Sequence, residues 1–378
     1  MISRELEQMI RRRLGGGKAI VLLGARQTGK TTLLKTLFPE SESVLWLNGD
    51  EWDVRRLFEN ITADRLKQIL AGKTTLVIDE AQRIADIGLR LKLITDRIPE
   101  IRLIATGSSA FELANQINEP LTGRKWEYRL FPLSFHEMVR HHGLLEEKRL
   151  IPHRLVYGSY PEVATHPEDA KELLKQLSDS YLYKDILMWE QIKKPDRLLK
   201  LLQTLAYQVG SEVSLPELAQ TCGIDRKTAE KYIVLLEQTF VIFRLPSFSR
   251  NLRNELKSSR KIYFYDNGIR NALIANFAAI ENRADLGALW ENWLVSQRVI
   301  MNHYRGRWVN SRFWRTTQQQ EIDYVEEADG RITGFEFKWN PNAKFRSCRA
   351  FRNAYQAEIV PVHYGNCEDF LIPAENRK

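Results

Sequence analysis

The feature that most restricts what this chain can fold into is a glycine-bordered stretch near its N-terminus, Gly24-Ala25-Arg26-Gln27-Thr28-Gly29-Lys30-Thr31-Thr32. All but its last residue match the spacing G-x-x-x-x-G-K-[ST]; the stretch follows an apolar run at 19–23 and opens a helical pattern. Backbone N–H groups of such a turn, at the positive end of a helix, point at phosphate oxygens. We predict that these residues bind the phosphates of a nucleotide, that Lys30 reaches the β- and γ-phosphates, and that the Thr31 hydroxyl binds Mg²⁺.

A second apolar run, Leu76-Val77-Ile78, ends in two carboxylates, Asp79 and Glu80. In a nucleotide-binding sheet the first carboxylate would hold Mg²⁺, and the second would act as general base on the attacking water. A glutamate directly after the metal-binding aspartate is typical of P-loop ATPases, including the AAA+ proteins, and argues against a GTPase. We therefore expect ATP and Mg²⁺ as the ligands of a hydrolase.

Two further positions are candidates for catalysis at the same site. A third apolar run ends in Thr106-Gly107-Ser108-Ser109, where a hydroxyl can sense the γ-phosphate. We favour Ser108 over Thr106 and Ser109, and an ordinary strand-to-helix cap is the competing interpretation. Arg124 is a candidate arginine finger, acting in cis or in trans, although a surface or structural arginine explains it equally well.

The pattern of apolar residues predicts three domains. Residues 1–150 alternate short apolar runs with helical patterns, which indicates an α/β P-loop domain with a parallel sheet. Residues 151–248 have the spacing of amphipathic helices. Residues 249–378 return to strand-like runs around one helix, which predicts a mixed α/β domain.

Composition narrows the class of protein. The formal net charge is +8, which favours phosphate-rich partners such as DNA or RNA without proving them. No apolar run approaches the roughly 18 residues of a membrane helix, so we expect no membrane contact. The widely spaced cysteines, Cys222, Cys348 and Cys367, argue against structural zinc or a disulfide framework and favour a cytoplasmic location.

The helical middle shows helix-turn-helix spacing. Ser214 and Glu217 form a predicted capping box, Asp225 can cap a second helix, and residues 239–245 would supply a wing. Three basic residues near the start of the second helix could touch phosphates or bases: Arg226, Lys227 and Lys231. Winged-helix domains in ATPases also serve as packing modules, and both interpretations stay open.

Taken in order along the chain, these motifs resemble those of bacterial and archaeal AAA-type ATPases that join an AAA_14 domain to a DUF4143 domain. The matching segments are 24–31, 77–82, 106–109, 121–124, 132–137, 261–268 and 290–292. They extend over nearly the whole chain. The resemblance implies an AAA-type ATPase fold, a C-terminal domain similar to PD-(D/E)xK nucleases, and assembly as a homo-oligomeric ring.

The C-terminal segment carries Asp323 and, further on, Glu336-Phe337-Lys338. Glu336 and Lys338 share one face of a predicted strand, and a predicted hairpin turn at 328–330 brings Asp323 close. In metal-dependent nucleases, carboxylates at the positions of Asp323 and Glu336 hold Mg²⁺, and a lysine such as Lys338 orients water. Glu291 would add a further acid from the preceding helix. Solvated strand charges produce the same pattern by chance.

Basic and aromatic residues near this pattern suit a nucleic-acid backbone: Arg305, Arg307, Trp308, Arg312, Trp314, Arg315, Lys344, Arg346 and Arg349. We therefore predict a Mg²⁺-dependent ATPase that couples hydrolysis to nucleic-acid binding or processing. The alternative is an ATP-driven switch or protein remodeller whose inert C-terminal domain docks a protein partner. A toxin- or defence-associated NTPase is a third possibility.

Overall fold

The computed structural model describes residues 2–108, 117–181, 194–248, 260–316, 318–345 and 348–372. The chain divides into two compact units, the first made of residues 1–131 with 238–240 and the second of 132–237 with 241–378. The first unit ends before residue 150, where the sequence placed the boundary. The segment that follows residue 131 is tied to the second unit, because the N–H of Phe135 donates to Gln297 Oε1 at 2.7 Å.

The first unit is built on a parallel sheet. Its strands are β1 (Ala19–Leu23), β2 (Val44–Asn48), β3 (Thr75–Asp79), β4 (Arg102–Gly107) and β5 (Lys125–Arg129). Its helices are α1 (Leu6–Arg13), α2 (Lys30–Leu37), α3 (Trp52–Glu59), α4 (Ala63–Ile69) and α5 (Ile87–Arg97). The strands pair in parallel in the order β2-β3-β4-β1-β5, which confirms the predicted α/β sheet.

The order of these strands determines where the polar residues meet. Every residue of β1 and β3 is buried, as expected for strands covered on both faces. β4 lies between them. Because the strands are parallel, their carboxyl ends meet at one edge of the sheet, and the loop after β1, the carboxylates at the end of β3 and the hydroxyls at the end of β4 converge there.

The second unit begins with helices and ends with a sheet. Its first helices are α6 (Phe135–His142), α7 (Leu144–Tyr157), α8 (Pro161–Thr165) and α9 (Ala170–Tyr181). The elements that follow are α10 (Pro195–Tyr207), β6 (Glu212–Val213), α11 (Leu215–Cys222), α12 (Arg226–Gln238), β7 (Ile242–Pro246) and β8 (Arg260–Phe264). The strands pair antiparallel in the order β6-β8-β7.

The two predicted helix caps in this region have different outcomes. Asp225 caps α12, because its Oδ1 accepts the N–H of Thr228 at 3.0 Å. Ser214 holds the N-cap position of α11, but its side chain makes no capping hydrogen bond, so the predicted capping box is wrong. A capping side chain bonds the second or third N–H of the helix, and the second residue here is Pro216, which has none.

The last part of the second unit is a four-stranded sheet flanked by helices. Its elements are α13 (Asn267–Leu273), α14 (Leu286–Tyr304), β9 (Asn310–Arg315), β10 (Glu321–Ala328), β11 (Arg331–Phe337), α15 (Arg349–Tyr355), β12 (Glu358–Val362) and α16 (Cys367–Leu371). The order is β12-β11-β10-β9; β11 and β12 are parallel and the other pairs antiparallel. The hairpin between β10 and β11 turns at Asp329 and Gly330, both at positive φ, as the sequence predicted.

A compact apolar cluster holds α15 against this sheet. It contains Trp314, Ile322, Val325, Phe351 and Ile359. Trp314 is therefore a core residue and not part of a nucleic-acid surface, which corrects the assignment made from the sequence. Within the described ranges, no helix has the length and apolar character required to cross a membrane.

Candidate functional site

The loop after β1 has the backbone that its glycines permit. A Cβ on Gly24 would lie 2.2 Å from the carbonyl oxygen of Leu130, so a larger residue does not fit there. Gly29 holds the N-cap position of α2 with φ of 91°, a left-handed conformation that favours glycine. The loop therefore leads its N–H groups directly into the N-terminus of α2, where the partial positive charge of the helix also lies.

Lys30 is buried at the start of α2, and its ammonium lies over the loop. Lys30 Nζ donates to the carbonyls of Gly24 at 2.8 Å and Ala25 at 2.9 Å. The Thr28 hydroxyl also donates to Ala25 O, at 2.8 Å. These contacts hold the ammonium of Lys30 beside the backbone that would surround the phosphates. Of the remaining loop residues, Arg26 is half-buried and Gln27 is exposed.

The loop and the end of β3 are joined by one hydrogen bond between functional side chains. Thr31 Oγ1 donates to Asp79 Oδ2 at 2.7 Å, and the neighbouring Thr32 is exposed on α2. Asp79 is 8% exposed. A hydroxyl beside a carboxylate is the hard-oxygen donor set that Mg²⁺ prefers beside a nucleotide, so these residues fit the predicted ion.

Glu80 begins a hydrogen-bonded chain that reaches the end of β4. Its backbone has φ of 47°, and its Oε2 accepts a hydrogen bond of 2.6 Å from Gln82 Nε2. The same Nε2 lies 3.1 Å from Ser108 Oγ. The Thr106 hydroxyl instead donates to Asp79 Oδ1. The structure thus brings Ser108 and Thr106 to the carboxylates, whereas Ser109 lies outside the described residues.

Arg124 is not brought into this group. It precedes β5 at the opposite edge of the sheet, because its carbonyl accepts the N–H of Ala19, the first residue of β1. The length of β1, at roughly 3.3 Å per residue, separates it from the loop. Its Nε lies 2.6 Å from Asp96 Oδ1. Arg124 therefore does not reach the phosphate site of its own chain, and a role in trans stays a prediction.

Two residues contribute to this site without having been predicted. Gln82 is 7% exposed, and its Oε1 finds no hydrogen-bond donor in the described part of the chain. Arg4 is buried, and it donates to Thr28 O and to Phe131 O, each at 2.6 Å. Gln82 could have been noticed two residues after Glu80. Arg4 has no local signal beyond its place at the start of an amphipathic helix.

The second unit holds a separate group of acids, named here the carboxylate cluster: Glu291, Glu321 and Asp323. A lysine that was not predicted lies among them. Lys261 Nζ is 2.8 Å from Glu291 Oε1 and 2.5 Å from Glu321 Oε1. The Tyr263 hydroxyl donates to the same Glu291 oxygen at 2.6 Å. Asp323 Oδ2 accepts the N–H of Phe337 at 2.7 Å.

Burial and neighbouring charges set the pKa values in this cluster. Burial raises the pKa of Asp323 well above its usual range, and the negative charge of Glu291 raises it further, while the charge of Lys261 opposes both. Burial lowers the pKa of Lys261, but Glu291, Glu321 and Asp323 outweigh burial and leave its pKa above the ordinary value. Lys261 is thus held as an ammonium ion.

Of the predicted metal-binding pair, Asp323 belongs to the carboxylate cluster as defined above. Glu336 faces Lys338 instead, with 3.6 Å between Oε1 and Nζ, and the Lys338 side chain is 42% exposed. Over the described ranges no group of three His, Cys, Asp or Glu side chains is placed to hold a metal ion. A metal-binding role of Asp323 and Glu336 therefore stays a prediction.

Exposed basic residues surround other parts of the second unit. Trp308 is 97% exposed and follows the exposed Arg305 and Arg307. Arg312 is half-buried, and Arg315, Lys344 and Arg349 are exposed, whereas Arg346 lies outside the described residues. On α12, Arg226, Lys227 and Lys231 are all exposed.

Comparison with protein families agrees with this arrangement. Residues 16–139 match the AAA domain family, and residues 286–370 match DUF4143, a domain of unknown function. The chain therefore matches an AAA domain and a DUF4143 domain in the order that the sequence motifs predicted. Between them, residues 148–280 match another domain of unknown function, DUF8612.

Proteins similar to this chain occur in bacteria and archaea. An uncharacterized protein of Mycobacterium tuberculosis is 28% identical over 342 residues, covering 89% of this chain and 73% of the relative. One from Haemophilus influenzae is 27% identical, covering 74% of this chain and 76% of the relative. The solved Walker-type ATPase of Pyrococcus abyssi has a similar fold, with a TM-score of 0.52 and 15% identity over 72% of this chain and 96% of that one.

Proposed function

We propose that the first unit binds ATP with Mg²⁺ and hydrolyses it at the site between the loop 24–31 and the end of β3. The observation that carries the proposal is the hydrogen bond of 2.7 Å from Thr31 Oγ1 to Asp79 Oδ2. It places the Thr31 hydroxyl beside the Asp79 carboxylate, the two oxygen donors that would hold the ion, and Glu80 follows Asp79 directly.

Each residue has a defined task in this proposal. Lys30 exchanges the carbonyls of Gly24 and Ala25 for phosphate oxygens, which adds charge-assisted hydrogen bonds where negative charge develops. Thr31 and Asp79 would hold Mg²⁺, which neutralises phosphate charge when bound. Glu80 accepts the proton of the attacking water, as a general base must lie within hydrogen-bond reach of it.

The test compares nucleotide binding and turnover in variants of one helix. Lys30→Ala should abolish ATP turnover and weaken ATP affinity, because the loop loses its cation. Lys35→Ala, on the exposed face of the same α2, is the matched control and should behave as the parent protein. The proposal fails if the parent chain shows no ATP affinity in the presence of Mg²⁺, or if Lys30→Ala hydrolyses ATP at the parent rate.

ATP turnover is further proposed to be coupled to nucleic-acid binding by the second unit. The order α10, β6, α11, α12, β7, β8 supports a winged-helix assignment, in which the second helix of the helix-turn-helix, here α12, would enter the major groove. That helix exposes Arg226, Lys227 and Lys231, and the chain carries a net charge of +8. Together these support phosphate-backbone contacts.

The coupling is tested by adding single- and double-stranded DNA, and RNA, to the ATPase assay. We expect stimulation that weakens with salt, and weaker binding when Arg226, Lys227 and Lys231 are changed to alanine. Lys67→Ala/Lys171→Ala/Lys175→Ala, at exposed positions of α4 and α9, controls for the loss of three positive charges. If no nucleic acid binds or stimulates, the alternative applies: an ATP-driven switch or remodeller with a protein partner. A homo-oligomeric ring is compatible with either function.

A further inference from the structure

The carboxylate cluster of the second unit already contains a cation, and that cation belongs to the protein. Lys261 is 3% exposed in its side chain, lies within 2.8 Å of Glu291 and 2.5 Å of Glu321, and has the ring of Phe313 at 5.4 Å from Nζ. An ammonium this deeply buried is stable only with paired counter-charges. The cluster supplies them.

Oxygen atoms of the carboxylate cluster already accept hydrogen bonds, which leaves few of them for a second cation. Glu291 Oε1 accepts from both Lys261 and the Tyr263 hydroxyl. Asp323 Oδ2 is engaged by the N–H of Phe337. A divalent ion bound here would have to displace the ammonium of Lys261 and leave it buried without its partners, which costs far more than breaking an exposed pair.

The lysine that the D…ExK spacing singles out is not the buried counter-ion. Lys338, the lysine of the D…ExK spacing, is 42% exposed and lies 3.6 Å from Glu336. The buried cation instead comes from β8, in the segment that matches DUF8612, while Glu291 and Glu321 lie in the segment that matches DUF4143. The pair thus joins two sequence domains that occur side by side in the chain.

We infer that Lys261 is the permanent counter-ion of the carboxylate cluster and takes the place of a divalent metal, so that this cluster does not support metal-dependent cleavage of phosphodiesters. In this inference, the ammonium of Lys261 occupies the position that a metal ion would otherwise take among the carboxylates. The inference concerns the second unit only and is independent of ATP hydrolysis by the first.

The test measures Mn²⁺ binding by the full chain without nucleotide, with Asp79→Asn present throughout so that the first unit contributes no carboxylate site. Free Mn²⁺ is quantified by electron paramagnetic resonance. With Lys261 intact we expect no binding that depends on Asp323. Lys261→Met should bind Mn²⁺ at least about tenfold more tightly, and adding Asp323→Asn should remove the gain.

The control is Lys338→Met, which removes the exposed lysine of the same region and should gain no Mn²⁺ binding. Mn²⁺ binding by the chain with Lys261 intact, lost on Asp323→Asn, would overturn the inference, as would a folded Lys261→Met that binds no Mn²⁺. If Lys261→Met does not fold, Lys261→Met/Glu291→Gln should restore folding, because it removes the unpaired carboxylate as well. Failure of that rescue by itself also rejects the inference, because removing both charges of the pair should leave the fold intact if Lys261 serves only as a counter-ion.

Discussion

The contact that most directly tests the chemistry of the first unit is the one between Gln82 and Glu80. Gln82 Nε2 donates to Glu80 Oε2 at 2.6 Å and lies 3.1 Å from Ser108 Oγ. A hydrogen bond to a charged carboxylate contributes about 1.5–3 kcal/mol. If it holds Glu80 in the position from which it accepts the proton of water, its loss appears in the barrier of the chemical step.

The perturbation we choose is Gln82→Met, which keeps the length of the side chain and removes both amide contacts. An energy of about 1.5–3 kcal/mol corresponds to a fall in kcat of roughly 10- to 100-fold, since each 1.36 kcal/mol is a factor of ten. KM for ATP should stay near the parent value, because Gln82 contacts neither Lys30 nor the loop in the described structure. This split separates positioning of the base from binding of the nucleotide.

Stability provides the second readout. Gln82 Oε1 is buried without a hydrogen-bond donor in the described residues, and a buried unpaired oxygen costs about 1–3 kcal/mol. Removing it offsets the two lost hydrogen bonds, so the free energy of unfolding should change by less than about 1 kcal/mol. Gln68→Met, at an exposed position of α4, is the matched control. Unchanged or faster turnover in a folded Gln82→Met would refute the reasoning.

Three further predictions concern the two units. Glu80→Gln should bind ATP with near-parent affinity and fail to hydrolyse it, because the amide cannot accept the proton; equilibrium binding beside single-turnover assays checks this. Glu326→Gln should lower the free energy of unfolding by about 3 kcal/mol, because Arg298 loses the negative charge that balances its own in a largely buried position. Arg298 Nη2 lies 2.6 Å from Glu326 Oε2. Urea titration measures the loss, and a change below about 1 kcal/mol would contradict the prediction. Burial raises the pKa of Asp266 from 3.8 to about 6, so the folded protein takes up this proton at higher pH than the unfolded chain. The stabilisation that this proton gives is fully present below the ordinary pKa of 3.8 and is lost as pH rises through 6. Between these two pH values, the free energy of unfolding of the parent should fall by up to about 1.4 kcal/mol per pH unit relative to that of Asp266→Asn. If the two proteins show the same dependence of stability on pH, the assignment is refuted.

The sheet of the first unit could be predicted where its strands are buried on both faces. β1 and β3 are unbroken apolar runs, and the structure confirms both within a residue or two. β5 was missed because Lys125-Trp126-Glu127-Tyr128-Arg129 alternates charge with aromatic residues. Charged side chains are expected on an edge strand, but without the pairing partner such a segment cannot be distinguished from a loop.

The two candidate sites differ in how many of their residues could be predicted from the local sequence. The residues after β1, β3 and β4 meet because parallel strands align their carboxyl ends, a rule that acts on the sequence pattern alone. The partners of Lys261 follow no such rule. Lys261 and Glu291 are 30 residues apart, and beside Arg260 in the sequence Lys261 is indistinguishable from a surface charge. Only the packing of β8 against α14 and β10 makes it a buried ion.

The two buried lysines illustrate why the same residue type implies different chemistry. Lys30 Nζ is bonded to carbonyl oxygens of Gly24 and Ala25, which are neutral, so an arriving phosphate offers its ammonium stronger partners than those it leaves. Lys261 Nζ is bonded to the carboxylates of Glu291 and Glu321, which are charged, so any other anion offers it no gain and any other cation must displace it. A lysine that can exchange its partners is suited to bind a ligand. A lysine that cannot exchange them is suited to stay paired with its carboxylates. The charge of the partner atoms, more than burial, therefore separates the proposed phosphate site of the first unit from the cluster of the second unit that we infer to be closed.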